Sequence, residues 1–280
     1  MLPTIGRDLG LVTTGAALAV ATLALRRAYA SRTAANSARS PPPVRTLRIA
    51  ASKLERFVAA VFTACGSFEK DAATAAEVLV LADLRGIDSH GVARLASYFR
   101  LLQSGEINPR PNVRIVRETA STATLDGDRG LGLIVGPKAN ALAMKKAAAV
   151  GSGWVAVRNT FHYGIAGYYS LAALEQDMIG LSMTNTSCCV APLWGRERLL
   201  GTNPIAIAFP AASERPLVID LATSTVPLGK VEEFARRAEA LLPGWAIGPA
   251  GEPTTTPEKV IEGGALLPLG GDFGHGGHKG

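Results

Sequence analysis

The sequence predicts an α+β fold of mixed α/β type, and three observations carry that expectation. Helical periodicity dominates as far as residue 107, with apolar positions at Ala75, Val78, Leu79 and Ala82 in one run and at Leu95, Tyr98, Phe99 and Leu102 in another. From residue 108 onward short β-rich runs take over, at residues 113–116, 123–125, 205–209 and 217–221. Between them strands and helices alternate too irregularly for a doubly wound parallel sheet. A chain of 280 residues with 48% hydrophobic content can bury a sizeable core, and its 30 glycines imply many tight turns.

The amino-terminal stretch, residues 1–45, reads as a targeting or anchor segment ending in a Pro41-Pro42-Pro43 linker, so folding is expected to begin near Thr46. Residues 9–25 form an uncharged apolar run followed by Arg26 and Arg27, on the short side of the roughly 20 residues a bilayer span needs. Ala28-Tyr29-Ala30 has the form of a cleavage site, but a secretory signal carries its positive charge ahead of the apolar run. The basic, acid-poor, Ser/Thr/Ala-rich character fits a mitochondrial transit peptide better than a membrane anchor, with a cytoplasmic location as the other alternative. The net charge of +6 lies largely here: Arg7, Arg26, Arg27, Arg32, Arg39, Arg45 and Arg48 stand against Asp8 alone. The remainder is roughly neutral and has no basic stripe interleaved with aromatics, so nucleic-acid binding has no support and is not expected. Three cysteines, two of them adjacent (Cys188 and Cys189), form neither a disulfide framework nor a zinc spacing and fit a reducing compartment.

Residues 46–107 read as a helical part, with helices over 49–65 (Leu54, Phe57, Val58 and Val61 apolar), 71–84 and 92–102. Asn108-Pro109-Arg110-Pro111 breaks the pattern and opens the second part, residues 108–280. Gly130-Leu131-Gly132-Leu133-Ile134-Val135-Gly136 has the spacing G-x-G-x-x-x-G, one residue longer than a dinucleotide loop, and Ala156 and Arg158 stand where an acidic residue is required. A Rossmann reading is rejected in favour of a turn feeding a helix opened by Pro137 and running to Val150. A strand over 153–158, a helix over 169–176 and strands over 179–184, 205–209 and 217–221 follow, and residues 236–271 read as loop. Near the carboxyl end, His275 and His278 have no ligand-type neighbour except Asp272, so no metal site is predicted, and the glycine-rich stop reads as a truncation.

Chemistry-bearing residues gather in two places. Arg85-Gly86-Ile87-Asp88-Ser89-His90-Gly91-Val92-Ala93-Arg94 sets two guanidiniums, a carboxylate, a hydroxyl and an imidazole at a helix–turn–helix junction. A guanidinium forks onto carboxylate oxygens and an imidazole exchanges protons near neutrality, the combination needed for acid–base work on a small carboxylate. His90 and Arg94 would share a helical face if the second helix started by His90. The plain alternative is a solvated helix end capped by Asp88 and Ser89. The second place is Asn159 to Tyr169, where a strand runs through His162, Tyr163 and Gly164 into a helix whose amides could take a phosphate or carboxylate. Three further strand ends are tipped with Asn185-Thr186-Ser187, Thr202-Asn203 and Ala222-Thr223-Ser224-Thr225, which suggests one shared site, and Lys230 offers a mobile cation beyond them.

With these residues quoted, the chain resembles the type-2 malate/L-lactate dehydrogenase family of NAD(P)-dependent oxidoreductases. The similar segments are Ala82 to Gly86 with Ser89 to Arg94, Asn159 with His162-Tyr163-Gly164, Leu200 to Pro204, Asp220 to Ser224, and His278-Lys279-Gly280. The resemblance implies a non-Rossmann, L-sulfolactate dehydrogenase-like fold, with a helical amino-terminal part and a mixed or antiparallel-sheet nicotinamide-binding domain. It implies hydride transfer between NAD or NADP and a small 2-hydroxy or 2-oxo acid, or a cyclic-imine carboxylate or ureidoglycolate in some members. It implies a homodimer, or an inactive relative if the chain is truncated, since the missing continuation would leave apolar strand surface and backbone edges uncovered. Carried over, His90 and His162 are both candidates for proton transfer. Ser89, Arg94, Thr202, Arg85 and His278 are expected on the substrate side. His162, Tyr163, Gly164, Ile165, Ala166, Thr186, Asp220, Leu221, Ala222 and Lys230 are expected around the cofactor.

Overall fold

A computed structural model describes residues 48–271; the expected targeting run, the proline linker and the histidine-bearing carboxyl end, including His275 and His278, lie outside the described residues. Contacts divide the chain into residues 1–48 and 49–280, and the following concerns the second unit. Among the described residues no helix is long and apolar enough to cross a membrane.

Helices α1 (Ala51–Ala64) and α2 (Glu69–Leu84) pack against each other, and α3 (Leu95–Gln103) closes over them. The predicted stripe on α2 is the buried one, with Ala75, Val78, Leu79 and Ala82 all fully enclosed. Two aromatic assignments differ from expectation. Phe57 and Phe99 lie at the margins of their stripes and stay exposed, while Phe62, one turn on from Val58, is fully buried and packs near Tyr98. This core continues through Ile107 into Leu131, Leu133 and Ile134, so the composition change near residue 107 falls inside one packed body.

Strands β1 (Arg114–Glu118) and β2 (Thr122–Gly130) form an antiparallel hairpin, and α4 (Gly132–Val150) crosses over to β3 (Trp154–Thr160), which runs parallel to β2. The helix starts five residues before Pro137, because the Leu131 carbonyl already accepts the amides of Ile134 (2.8 Å) and Val135 (3.0 Å). Pro137 therefore sits in the second turn, where it forfeits the bond to the Leu133 carbonyl. Helix α5 (Ala166–Ala172) likewise begins three residues earlier than expected and ends in a 3-10 turn, Ala173–Gln176.

Strands β4 (Gly180–Met183), β5 (Ile205–Phe209) and β6 (Leu217–Leu221) make an antiparallel sheet. One face, with Ala206 and Ala208 fully buried, lies under α5; a Cβ on Gly180 would overlap the Ser170 carbonyl, so the approach is close. The other face presents Leu181, Met183, Ile205, Ile207, Phe209, Leu217, Ile219 and Leu221 and is open to solvent in large part. Among the described residues β3 and β4 are edge strands, and a cleft of about 440 Å³ lies between them.

Residues 236–271 are structured where loop was expected. Helix α6 (Leu228–Arg237) leads into a small antiparallel sheet, β8 (Pro253–Thr254), β7 (Ala246–Ile247) and β9 (Ala265–Leu266), with α7 (Pro257–Ile261) beside it. Strands of two residues are too short to show a period, and the prolines and glycines around them read as turns. Val190, Val226, Val231, Leu241, Val260 and Leu266 form their core, and the Arg198 guanidinium caps the end of α7 through the carbonyls of Gly264 (2.6 Å), Val260 and Ile261.

The helical core generates a contrast between two phenylalanines. Phe62→Ala is expected to destabilise the chain by about 3–5 kcal/mol, and Phe57→Ala by about 0.5 kcal/mol or less. Urea melts of the two variants against the parent chain check this; equal losses would show that the buried stripe is misassigned.

Candidate active site

The helix–turn–helix junction is built on one carboxylate. Asp83, in the last turn of α2, accepts the Val92 amide at 2.9 Å, and Gly91 is a glycine because a Cβ there would overlap the Asp83 carboxylate. Burial, with Asp88 nearby, raises the Asp83 carboxyl above its ordinary value although the Val92 amide opposes the shift. The segment between α2 and α3 is consequently two 3-10 turns, Asp88–His90 and Val92–Arg94, separated by an extended Gly91. The α-helix begins only at Leu95, so His90 and Arg94 do not share a helical face; they meet because both line one cavity.

The cavity is about 150 Å³ and brings together His90, Arg94, His162, Tyr163, Gly164, Thr186, Ser187 and Thr202, with Gly229 and Leu228 at the start of α6. The His90 and His162 rings are 5.4 Å apart. His90 Nδ1 is 2.9 Å from the Ser89 hydroxyl. His162 Nδ1 is 2.7 Å from the buried Tyr98 hydroxyl and accepts the Gly164 amide at 3.2 Å. Burial and then the Arg94 charge push the His90 imidazole down to about 4. His162 keeps an exposed face, yet burial of the rest of its ring, followed by the His90 and Arg94 charges, also holds it below the ordinary imidazole value. Burial raises the Tyr98 phenol well above its usual range, so it stays protonated.

Among the described residues Arg94 is the only charged side chain lining this cavity. Its Nε donates to the Ser89 carbonyl at 2.7 Å and a terminal nitrogen reaches Glu232 at 3.3 Å. Gly229 gives it room, since a Cβ there would overlap the guanidinium. The polar strand ends converge as the sequence suggested. The Thr202 amide donates to Thr186 Oγ1 (2.8 Å), the Thr186 amide to Asn203 Oδ1 (3.1 Å), and the Thr223 amide to the Thr202 carbonyl (2.8 Å). Tyr163 is stacked on Tyr169 with ring centroids 4.7 Å apart.

Of the expected site residues, His90, His162, Arg94, Thr202, Tyr163, Gly164 and Thr186 line the cavity. Ser89 acts on it through His90. Ile165 and Ala166 are buried beneath it at the start of α5. Asp220 accepts the Gly167 amide at 2.9 Å, so the helix start that was expected to take an external anion holds the chain's own carboxylate. Arg85 is exposed at the end of α2, where its charge acts on Asp220. Leu221 belongs to the open sheet face and Ala222 follows it. Lys230 is not the mobile cation expected: on α6 it pairs with Glu233 at 3.1 Å and lies over the Phe234 ring. His278 lies outside the described residues. Sequence reasoning missed Tyr98 as a site residue, because its place in an apolar stripe hid the hydroxyl at its tip. It also missed Glu232, which nothing but the fold brings to Arg94. Among the described residues no group of three or more His, Cys, Asp or Glu is placed to hold a metal ion.

Comparison with known proteins agrees with this architecture. The family model described as malate/L-lactate dehydrogenase matches residues 49–280. The chain belongs to that family. It is 53% identical over 236 residues to a malate dehydrogenase of Pyrococcus abyssi, covering 84% of this chain and 65% of the relative. It is 49% identical over 208 residues to an L-sulfolactate dehydrogenase of Methanocaldococcus jannaschii, covering 74% of this chain and 60% of the relative. The solved structure of a malate dehydrogenase from Pyrococcus horikoshii superposes with a TM-score of 0.76 at 48% identity, over 86% of this chain and 66% of that one. The chain thus spans about two thirds of the length of these relatives, and its fold is the non-Rossmann one of the family.

The His90 environment sets a pH dependence of stability. The unfolded chain takes up a proton near pH 6.5 that the folded site refuses until about 4, so stability from this group is present above about 6.5 and lost as pH falls through 4. The loss is expected to be on the order of 2 kcal/mol after allowance for the open side of the ring. Urea unfolding at pH 7 and pH 4 should show His90→Gln losing less stability on acidification than the parent. Parallel losses would count against the neutral buried imidazole.

Proposed function

We propose that the chain transfers a hydride between a nicotinamide nucleotide and the carbon of a small 2-hydroxy or 2-oxo acid of malate or lactate type. The observation that carries this reading is the cavity's composition: one guanidinium and two neutral imidazoles among hydroxyls. Arg94 binds the substrate carboxylate, for which the 3.3 Å Glu232 contact is a weak competitor on one nitrogen. Thr186 and Thr202 orient the acid. The histidine pair handles the hydroxyl proton, and both imidazoles are held neutral near pH 7, as removal of a proton from an alcohol requires.

The donor set also suits the nicotinamide ring. The Thr186 and Ser187 hydroxyls match an uncharged carboxamide, and among the described residues no carboxylate lines the cavity. When bound, the nucleotide supplies or accepts the hydride; Tyr163, Gly164 and Thr186 would hold its ring. Asp220 and Lys230 are committed to the Gly167 amide and Glu233, and Arg85 is exposed outside the cavity lining, so all three are given an outer role. A homodimer is part of the proposal: the open apolar face of the β4–β6 sheet is a surface a second copy would cover.

Fluorescence titration of the 280-residue chain with NADH and with NADPH tests the cofactor and discriminates the two. Turnover with oxaloacetate, pyruvate and a cyclic-imine carboxylate then separates the acid from the imine substrates. Arg94→Ala is expected to weaken acid binding by about tenfold to a hundredfold, the worth of a charged hydrogen bond, with nucleotide affinity unchanged. Absence of saturable nucleotide binding, or an Arg94→Ala variant that binds acid as tightly as the parent, would sink the reading. Light scattering that finds only monomers at tens of micromolar would remove the dimer.

A further inference from the structure

We infer that Glu232, standing behind Arg94 on α6, is a specificity-determining residue: its carboxylate offsets part of the guanidinium charge and so favours acids carrying one negative charge over acids carrying two. The inference rests on the dehydrogenase reading for what the cavity binds, but the ion pair that carries it does not.

Only the start of α6 belongs to the cavity. Pro227, Leu228 and Gly229 line the space, and Val231 is fully buried in the core beside it. Gly229 lets the helix come so close that a Cβ there would stand 2.3 Å from Arg94 Nη2 and 3.2 Å from the Ser89 carbonyl oxygen. With those positions fixed, residue 232 meets the guanidinium from outside the cavity. Its Oε2 lies 3.3 Å from Arg94 Nη1.

The neighbouring acid is differently placed. Glu233 is buried and takes both Lys230 and Arg237. Among the described residues Glu232 has a single cation within ion-pair distance, and that cation is the one in the cavity. Its side chain is 39% exposed, so the contact adds little to stability. Its effect is on the charge that a ligand meets.

Arg94 comes to its ligand already divided. Nε donates to the Ser89 carbonyl and one Nη1 hydrogen is directed at Glu232, which leaves Nη2 and the other Nη1 hydrogen for a substrate carboxylate. The first carboxylate of a bound acid is held by direct, charge-assisted hydrogen bonds, which outweigh Glu232 at its longer range. A second carboxylate gains only the more distant field, and there the Glu232 charge subtracts from that of Arg94. His90 and His162 add no charge, because both imidazoles are neutral near pH 7. Malate therefore gains less over lactate than a lone guanidinium would give it.

Titration of the 280-residue chain with L-lactate and with L-malate tests this, in the presence of NADH so that no hydride can pass. Nitrogen-15 labelling of arginine follows binding at the Arg94 Nε resonance, identified from its loss in Arg94→Lys. Glu232→Gln keeps an oxygen for Arg94 and removes the charge. It is expected to tighten malate relative to lactate by about threefold to tenfold, a range set by the exposure of the pair. Turnover gives a second readout. The ratio of KM for oxaloacetate to KM for pyruvate should fall by a similar factor, with kcat for each held within about twofold. Glu232→Ala repeats both measurements at the same partly exposed position, and thermal melts report the folding of each variant. An unchanged malate-to-lactate ratio in the folded variants overturns the inference. So does a loss of kcat with both KM values held, or unfolding of both variants, since either makes Glu232 a structural support alone. If no acid moves the Arg94 resonance of the parent chain, the proposed function is refuted and the inference with it. A shifted binding ratio without any turnover refutes hydride transfer and leaves the charge effect standing.

Discussion

The bond between the Asp83 carboxylate and the Val92 amide decides where everything else in the cavity stands. It pins the loop between α2 and α3 against the end of α2, and it demands glycine at 91 because the carboxylate fills the space a side chain would take. Held there, the chain turns twice in 3-10 geometry instead of running on as α-helix. That sends His90 toward His162 and leaves Arg94 with its Nε on the Ser89 carbonyl. A backbone donor satisfied by a half-buried acid is worth more than its direct energy, because three functional side chains inherit their directions from it.

The second half of the site depends on the same helical core from the other side. Gly164 is seated on Val78 and Leu133, and Tyr98 comes from a helix packed on Phe62, so both hydrogen-bond partners of His162 Nδ1 are placed by apolar packing. Thr186, Thr202 and Asn203 clasp the ends of β4 and β5 through backbone amides, a rigid polar floor that needs no charge. Stability and chemistry thus draw on the same residues.

Much of this was legible in the sequence. The strands at 205–209 and 217–221 were bounded correctly because their apolar runs end at Pro and polar residues. The α2 stripe could be read from its spacing, and the glycine loop could be rejected from its length. What was lost depends on distance in space. Pro137 and the start of α5 were misplaced because a helix start is set by which carbonyl or carboxylate catches its amides, here Leu131 and, from 53 residues away, Asp220. Lys230 read as free because its partners Glu233 and Phe234 are neighbours only once α6 winds. The β7–β9 sheet is invisible to periodicity, as its strands are held by pairing with distant segments such as Val190 to Leu266 rather than by any pattern of their own. Tyr98 counted as core, and its ring is core; only its oxygen belongs to the site.

The crowding around His162 Nδ1 also bears on metal ions. Two imidazoles 5.4 Å apart are a common starting point for binding zinc or copper, which take a neutral ring by its free lone pair. At His162 that lone pair is already shared by an amide and a hydroxyl, and a cation bonding the other nitrogen would have to drive its proton inward onto Nδ1, against the Gly164 N–H. The hydrogen bonds on Nδ1 therefore oppose the use of His162 as a metal ligand.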